Sequence, residues 1–160
     1  MKKLLLIIYT AYCAIVFLML MFICLFVYLF ALIFFPHKPV DILYKYIHFW
    51  GKTWLFITGG KLHILGEEYI KPNTAYVIVS NHTSPADMFP MAAGVKISFR
   101  PLGKIELKKI PVLGYIFSKT LVFVDRSDIE SRKQSMIEMK KVLDRNISVV
   151  IFPEGTRNRT

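Results

Sequence analysis

The chain has 160 residues, 54% of them hydrophobic, and a formal net charge of +10. That apolar content excludes a disordered chain, whose signature is low hydrophobicity, and the two cysteines, Cys13 and Cys24, are too few for a disulfide scaffold. No Cys/His cluster has zinc spacing, and the basic excess comes without a basic arm or a nucleic-acid motif, so neither a metal nor a nucleic-acid partner is expected.

From Leu4 to Phe35, 32 consecutive residues carry no charge. As one straight helix they would extend about 48 Å at ~1.5 Å per residue, against about 30 Å of hydrocarbon in a bilayer. A tilted over-long span or a helical hairpin that dips in and returns is expected. A cleaved signal peptide fits less well, because its apolar region is about 7–15 residues and a small-residue cleavage site should follow. Lys2 and Lys3 precede the run, and Lys38, Lys45 and Lys52 follow it, so flanking charge does not choose an orientation.

Pro36 and Pro39 close the run, and Val40–Thr58 reads as a second helix. Leu43, Tyr46, Ile47, Trp50 and Trp54 share one face, with Asp41, Lys45, His48 and Lys52 between them. An aromatic face beside a basic one suits a helix lying at a membrane interface; the alternative is a helix packed on a core. Gly59-Gly60 marks a break. The expected organisation is a membrane-embedded helix or hairpin over 1–36, an interfacial helix and linker over 37–60, and a separate domain over 61–160.

In that domain, Leu62–Leu65, Ala75–Ser80, Leu121–Val124 and Ile147–Phe152 read as strands, with Ile97–Phe99 as a weaker one. A helix lies between the last two strong strands. Ser127 and Glu130 form a capping-box pattern at its start, and Ile129, Met136, Met139 or Lys140, and Leu143 form its apolar stripe. Strands alternating with helices indicate an α/β domain, a mostly parallel sheet flanked by helices.

Chemistry concentrates in three places. Ser80-Asn-His-Thr-Ser-Pro-Ala-Asp87 follows a strand. Ser84 suits an N-cap and Pro85 the first helical position, so His82 falls in the strand-to-helix turn, with Asp87 in the first helical turn. A carboxylate holding one imidazole N–H leaves the other nitrogen free to accept a proton. There is no Gly-x-Ser-x-Gly elbow, and both cysteines lie in the apolar run. Such a base would act on a substrate hydroxyl or water, or the two residues would serve only as capping groups. Next, Lys104, Lys108, Lys109, Lys119 and Arg126 form a basic stretch. It is either a solvated face drawn to anionic lipid or a phosphate site, for which Arg126, after a buried strand, has the better geometry. Finally, Glu154-Gly155-Thr156-Arg157 follows another strand. Gly155 permits a tight turn, Arg157 offers a second phosphate contact, and Glu154 can accept a hydrogen bond.

Asn81-His82-x4-Asp87, then Gly114 through Arg126, then Phe152-Pro-Glu-Gly-Thr-Arg157, in this order, resemble the glycerolipid acyltransferase family, whose best-known members are the 1-acyl-sn-glycerol-3-phosphate acyltransferases. The resemblance covers roughly Gly60 to Thr160. It implies that His82 is the general base and Asp87 its orienter, and that Arg126, Glu154, Gly155, Thr156 and Arg157 bind the acceptor's glycerol phosphate. Lys104 matches a further basic position. It also implies acyl transfer to the sn-2 hydroxyl of lysophosphatidic acid, with acyl-CoA or acyl-acyl carrier protein as a substrate rather than a resident cofactor. The expected location is the cytoplasmic face of an inner membrane. Alternatives are another acceptor (glycerol 3-phosphate, another lysophospholipid or a lyso-aminolipid) or a non-catalytic module that binds anionic membranes. The family's fourth block does not occur before Thr160, which suggests a chain cut off after the third motif.

Overall fold

The computed structural model describes residues 2–35, 39–111 and 113–156, with backbone alone at 39–41 and Pro85. These residues divide into two compact units. The first, 1–63 with 88–96, is helical. Helix α1 runs unbroken from Lys2 to Phe34, so the apolar run is a single helix and not a hairpin within itself. It is long and apolar enough to cross a membrane. Helix α2, Pro39–Ile57, packs antiparallel beside it. Four hydrogen bonds set that register: Tyr9 Oη to the Thr58 carbonyl at 2.8 Å, Tyr12 Oη to that of Ile57 at 3.0 Å, Trp54 Nε1 to that of Cys13 at 3.3 Å, and Tyr46 Oη to that of Leu20 at 2.8 Å. Trp54 is buried, and its bond spares the indole N–H burial without a partner.

The α2 stripe read from the sequence faces protein. Leu43, Trp50 and Trp54 are buried. Trp54 stacks on Phe89 with centroids 3.5 Å apart, and Trp50 stacks on the same ring at 4.8 Å. Phe89 belongs to α3, Met88–Gly94. At the α2–α3 contact Gly51 is buried, and a Cβ there would lie 2.7 Å from the Ala93 nitrogen. The aromatic face thus supplies the unit's core, while Lys45, Phe49, Lys52 and Phe56 form the outward face. Gly59, at φ +75°, ends the helix, with Gly60 N–H reaching the Leu55 carbonyl at 2.7 Å. This is a left-handed C-terminal cap that a glycine adopts without strain.

The second unit holds four strands: β1 Val77–Val79, β2 Phe99–Lys104, β3 Val122–Val124 and β4 Ser148–Ile151. All pairings are parallel, in the order β1-β4-β2-β3. Leu62–Leu65 is not a strand: the segment has no ladder partner among the described residues, and Leu65 is 94% exposed. Alternation alone does not make a strand without a neighbouring chain to bond to. The weak strand at 97–99 begins at Phe99 and continues through Arg100-Pro101-Leu102-Gly103 to Lys104. Pro101 and Gly103 are strand breakers by composition. Here Pro101 lies where β2 stops pairing with β4 and begins pairing with β3.

Helix α4, Leu113–Thr120, leads into β3, and α5, Ile129–Leu143, joins β3 to β4. Val122, Val142 and Val149 form a buried cluster with Leu102, Met139, Leu143 and Ile147 against it. The helix therefore turns Ser135, Met139 and Val142 inward, while Ile129 and Met136 are exposed. That corrects the expected stripe at its N-terminal half. The cap also differs. Asp128 is the N-cap, accepting from Glu130 and Ser131 N–H at 3.1 and 3.0 Å, whereas Ser127 donates to Asp125. Both residues are good caps, and Asp125 draws Ser127 away.

Candidate active site

In a wholly parallel sheet every strand's carboxyl end lies on the same edge. His82 follows β1, Glu154 follows β4, Lys104 ends β2 and Arg126 follows β3. The four exits thus stand side by side, at the edge where open α/β sheets receive ligands. Ser80 N–H bonds the Ile151 carbonyl at 3.1 Å, which carries the β1–β4 pairing one step past the strands and aligns the first two exits.

After β1 the chain makes a single 3₁₀ turn, Pro85–Asp87. Ser84 Oγ accepts from Ala86 N–H at 3.1 Å, as an N-terminal cap should. The turn carries the Asp87 carboxylate back over the preceding loop. Its Oδ2 accepts from His82 Nδ1 at 2.8 Å, Thr83 N–H at 2.8 Å and Ser84 N–H at 2.9 Å. Thr83 Oγ1 adds a longer bond to Oδ1 at 3.4 Å. Partial burial works against the charged carboxyl, but these donors outweigh it and hold Asp87 below the usual carboxylate range. An ionised carboxylate only accepts, so Nδ1 carries a proton, and in the neutral ring Nε2 keeps its lone pair. The His82 side chain keeps 24% of its exposure, so a reactant can reach it.

The β4 exit meets the same histidine twice. The Phe152 and His82 rings lie 4.5 Å apart, tilted by 32°. Glu154 Oε1 accepts from His82 backbone N–H at 3.4 Å. The turn is closed by Gly155 N–H to the Phe152 carbonyl at 3.0 Å, with Pro153 and Glu154 at its corner and Gly155 at φ +67°. Arg126 reaches this turn from β3: its Nη1 is 3.7 Å from where a Gly155 Cβ would stand. A Cβ at 155 would only touch that guanidinium; it is the positive φ that favours glycine there.

Residues on both sides of Arg126 are tethered. Asp125 N–H donates to Ser131 Oγ at 2.9 Å, and Asp125 Oδ1 accepts from the Ser127 hydroxyl at 2.6 Å and its N–H at 2.9 Å. The Ser127 hydroxyl, then its N–H, hold the Asp125 carboxyl below its ordinary range, with a smaller contribution from the Lys109 charge. Of the residues expected at a site, His82, Asp87, Glu154, Gly155 and Arg126 are brought together. Lys104 stands exposed at the end of β2, and Thr156 exposed beyond the turn. Arg157 lies outside the described residues. Lys119 is directed over the Tyr115 ring, 5.4 Å from its centroid. The ring contact of Phe152 was not legible in the sequence beyond its place at the head of the third motif. Among the described residues no three His, Cys, Asp or Glu side chains are grouped to hold a metal ion.

A carboxylate-oriented histidine and an arginine on the carboxyl edge of a parallel α/β sheet can do acid–base chemistry on a ligand held there. The Acyltransferase family model matches residues 61–160, the domain that carries all of these groups, and the chain belongs to that family. It is 32% identical over 126 residues to a 1-acyl-sn-glycerol-3-phosphate acyltransferase of Limnanthes douglasii, covering 78% of this chain and 44% of that protein. It is 30% identical over 105 residues to the human alpha form, covering 64% and 37%. The crystal structure of the 1-acyl-sn-glycerophosphate (LPA) acyltransferase PlsC from Thermotoga maritima superposes with a TM-score of 0.78 at 26% identity, covering 99% of this chain and 64% of that one. The chain thus spans less than half the length of these curated relatives.

Proposed function

We propose that the protein containing this chain transfers a fatty acyl group from an acyl thioester to the sn-2 hydroxyl of 1-acyl-glycerol 3-phosphate, forming phosphatidic acid. The observation that carries this reading is the His82 Nδ1–Asp87 Oδ2 bond at 2.8 Å, set beside Arg126 and the Gly155 turn. The relatives' names supply the acceptor and the class of reaction.

His82 Nε2 removes the hydroxyl proton as the oxygen attacks the thioester carbonyl. The C–S bond then breaks, and the imidazolium returns the proton to the leaving thiolate. Catalysis by such a base contributes about 10²–10⁴-fold. Asp87 stabilises the imidazolium and keeps the tautomer. Arg126, with Lys104, Thr156 and Arg157, holds the acceptor's phosphate. Such positioning supplies about 7–11 kcal/mol of the barrier when the reacting atoms are held in line. The base acts on a substrate hydroxyl, and the thioester of acyl-CoA or acyl-acyl carrier protein is consumed as a substrate. Helix α1 embeds in the membrane that holds the lipid acceptor, with the catalytic unit on the cytoplasmic side, where the carriers are found.

Acyl transfer by the intact, membrane-bound protein, assayed against a panel of acceptors, tests this. Phosphatidic acid formation from lysophosphatidic acid, lost on His82→Ala, supports it. Preference for glycerol 3-phosphate or another lysolipid would replace the acceptor. Salt-sensitive binding to anionic liposomes with no transfer, indifferent to His82, would replace catalysis by membrane binding.

A further inference from the structure

One hydrogen bond to Asp87 holds the edge of the His82 ring but leaves it free to swing about the Nδ1···Oδ2 line. The face of the ring is held by another element. Phe152 is the first residue after β4, and its backbone is closed into the Gly155 turn. Behind it, Val149 and Val150 are among the most buried residues of the protein. The Phe152 ring is thus rooted in the sheet's core and lies against the imidazole at 4.5 Å. Across the same turn, Glu154 accepts the backbone N–H of His82. An aromatic face carries partial negative charge, so it attracts a cation placed over it.

We propose that Phe152 is a positioning residue for acyl transfer: its ring face fixes the plane of the His82 imidazole, and hence the direction of Nε2, and supports the charge the ring gains on taking the acceptor's proton. This rests on the reading of His82 as the general base. The β4 exit turn then has two tasks, holding the base as well as receiving the acceptor.

The test compares Phe152→Met and Phe152→Leu, which keep an apolar side chain without a ring, with Phe152→Tyr, which keeps the ring. All are made in the intact, membrane-bound protein. The ringless variants should lose about tenfold in kcat with the KM of either substrate within about twofold, and Phe152→Tyr should restore most of the loss. The His82 imidazole proton resonances should lie upfield in the wild type, from the Phe152 ring current, and move downfield in both ringless variants. Two ringless variants keep the comparison intact if one fails to fold, as judged by circular dichroism. Wild-type kcat in a folded ringless variant would overturn the proposal, and so would an equal loss in Phe152→Tyr. Wild-type turnover in His82→Ala would overturn the underlying base assignment instead.

Discussion

His82 and Asp87 are five residues apart, yet Nδ1 of one lies 2.8 Å from Oδ2 of the other. Side chains on one helical face are three or four apart. The pair meets because the chain between them is a loop and a 3₁₀ turn, over which Asp87 collects three nitrogen donors on a single oxygen. The same bonds choose the tautomer, so the fold of six residues decides which nitrogen is basic.

Replacing His82 by Ala should therefore cost at least about 10²-fold in turnover, since the base alone contributes that much. Membrane association should persist, because α1 is unaltered. Turnover and liposome flotation measured on the same preparation check both halves; near-normal turnover would sink the base assignment.

Asp87→Asn keeps the size of the side chain and removes its charge. Turnover should fall by about 10²-fold or more, as the imidazolium loses its partner and the tautomer its determinant. Stability should respond to pH in a definite sense. The folded-state pKa of Asp87 lies below the ordinary value of 3.8. Its contribution is therefore fully present above that value and is lost as pH falls through the folded value. Thermal melts should show the wild type ahead of Asp87→Asn near neutral pH, with the gap closing below about pH 4. A gap that persists at lower pH would contradict the assigned sign.

Arg126→Ala should raise the KM for the phosphate-bearing acceptor by about tenfold or more while leaving that of the thioester nearly unchanged, the scale of one charged hydrogen-bonded contact. Arg126→Lys should restore only part of the loss, since an ammonium cannot make the paired contact of a guanidinium. Steady-state kinetics with each substrate varied in turn separates the two. An effect confined to the thioester would place the arginine on the donor side.

Gly51→Ala sets local propensity against packing. Within an exposed helix the change would stabilise by about 1 kcal/mol. At the α2–α3 contact the added Cβ would fall 2.7 Å from the Ala93 nitrogen and 2.9 Å from the Phe89 carbonyl, backbone that cannot step aside. The net effect should be destabilising by about 1–3 kcal/mol. Chemical denaturation in detergent micelles measures it, and a stabilised variant would show that α3 yields.

The strong local signals in the sequence have short-range causes. The uncharged run from Leu4 to Phe35 announces apolar helix, leaving one span or a hairpin open, and the strands at 77–79, 122–124 and 148–151 lie inside the apolar runs that announce them. The expectation failed where the outcome depends on a distant neighbour. Leu62–Leu65 reads as a strand but has no partner to pair with among the described residues, while β2 runs through Pro101 and Gly103 because β4 and β3 lie on either side of it. The Trp50–Trp54 stripe could equally face lipid or protein until α3 supplied Phe89. Ser127 lost the cap of α5 to Asp128 because Asp125 competes for its hydroxyl.

The site divides in the same way. By itself the sequence determined the reactive groups: a histidine and a carboxylate at turn spacing, an arginine after one strand, a Glu-Gly turn after another, and an order of motifs that points to one family. Their separation along the chain says nothing of their separation in space. Only the tertiary structure decided that β4 lies next to β1, so that residues about seventy positions apart, Phe152 and Glu154 on one side and His82 on the other, come into contact. The physical reason is the parallel sheet: its hydrogen-bonded ladder fixes which strand ends are neighbours, and no local pattern encodes that choice.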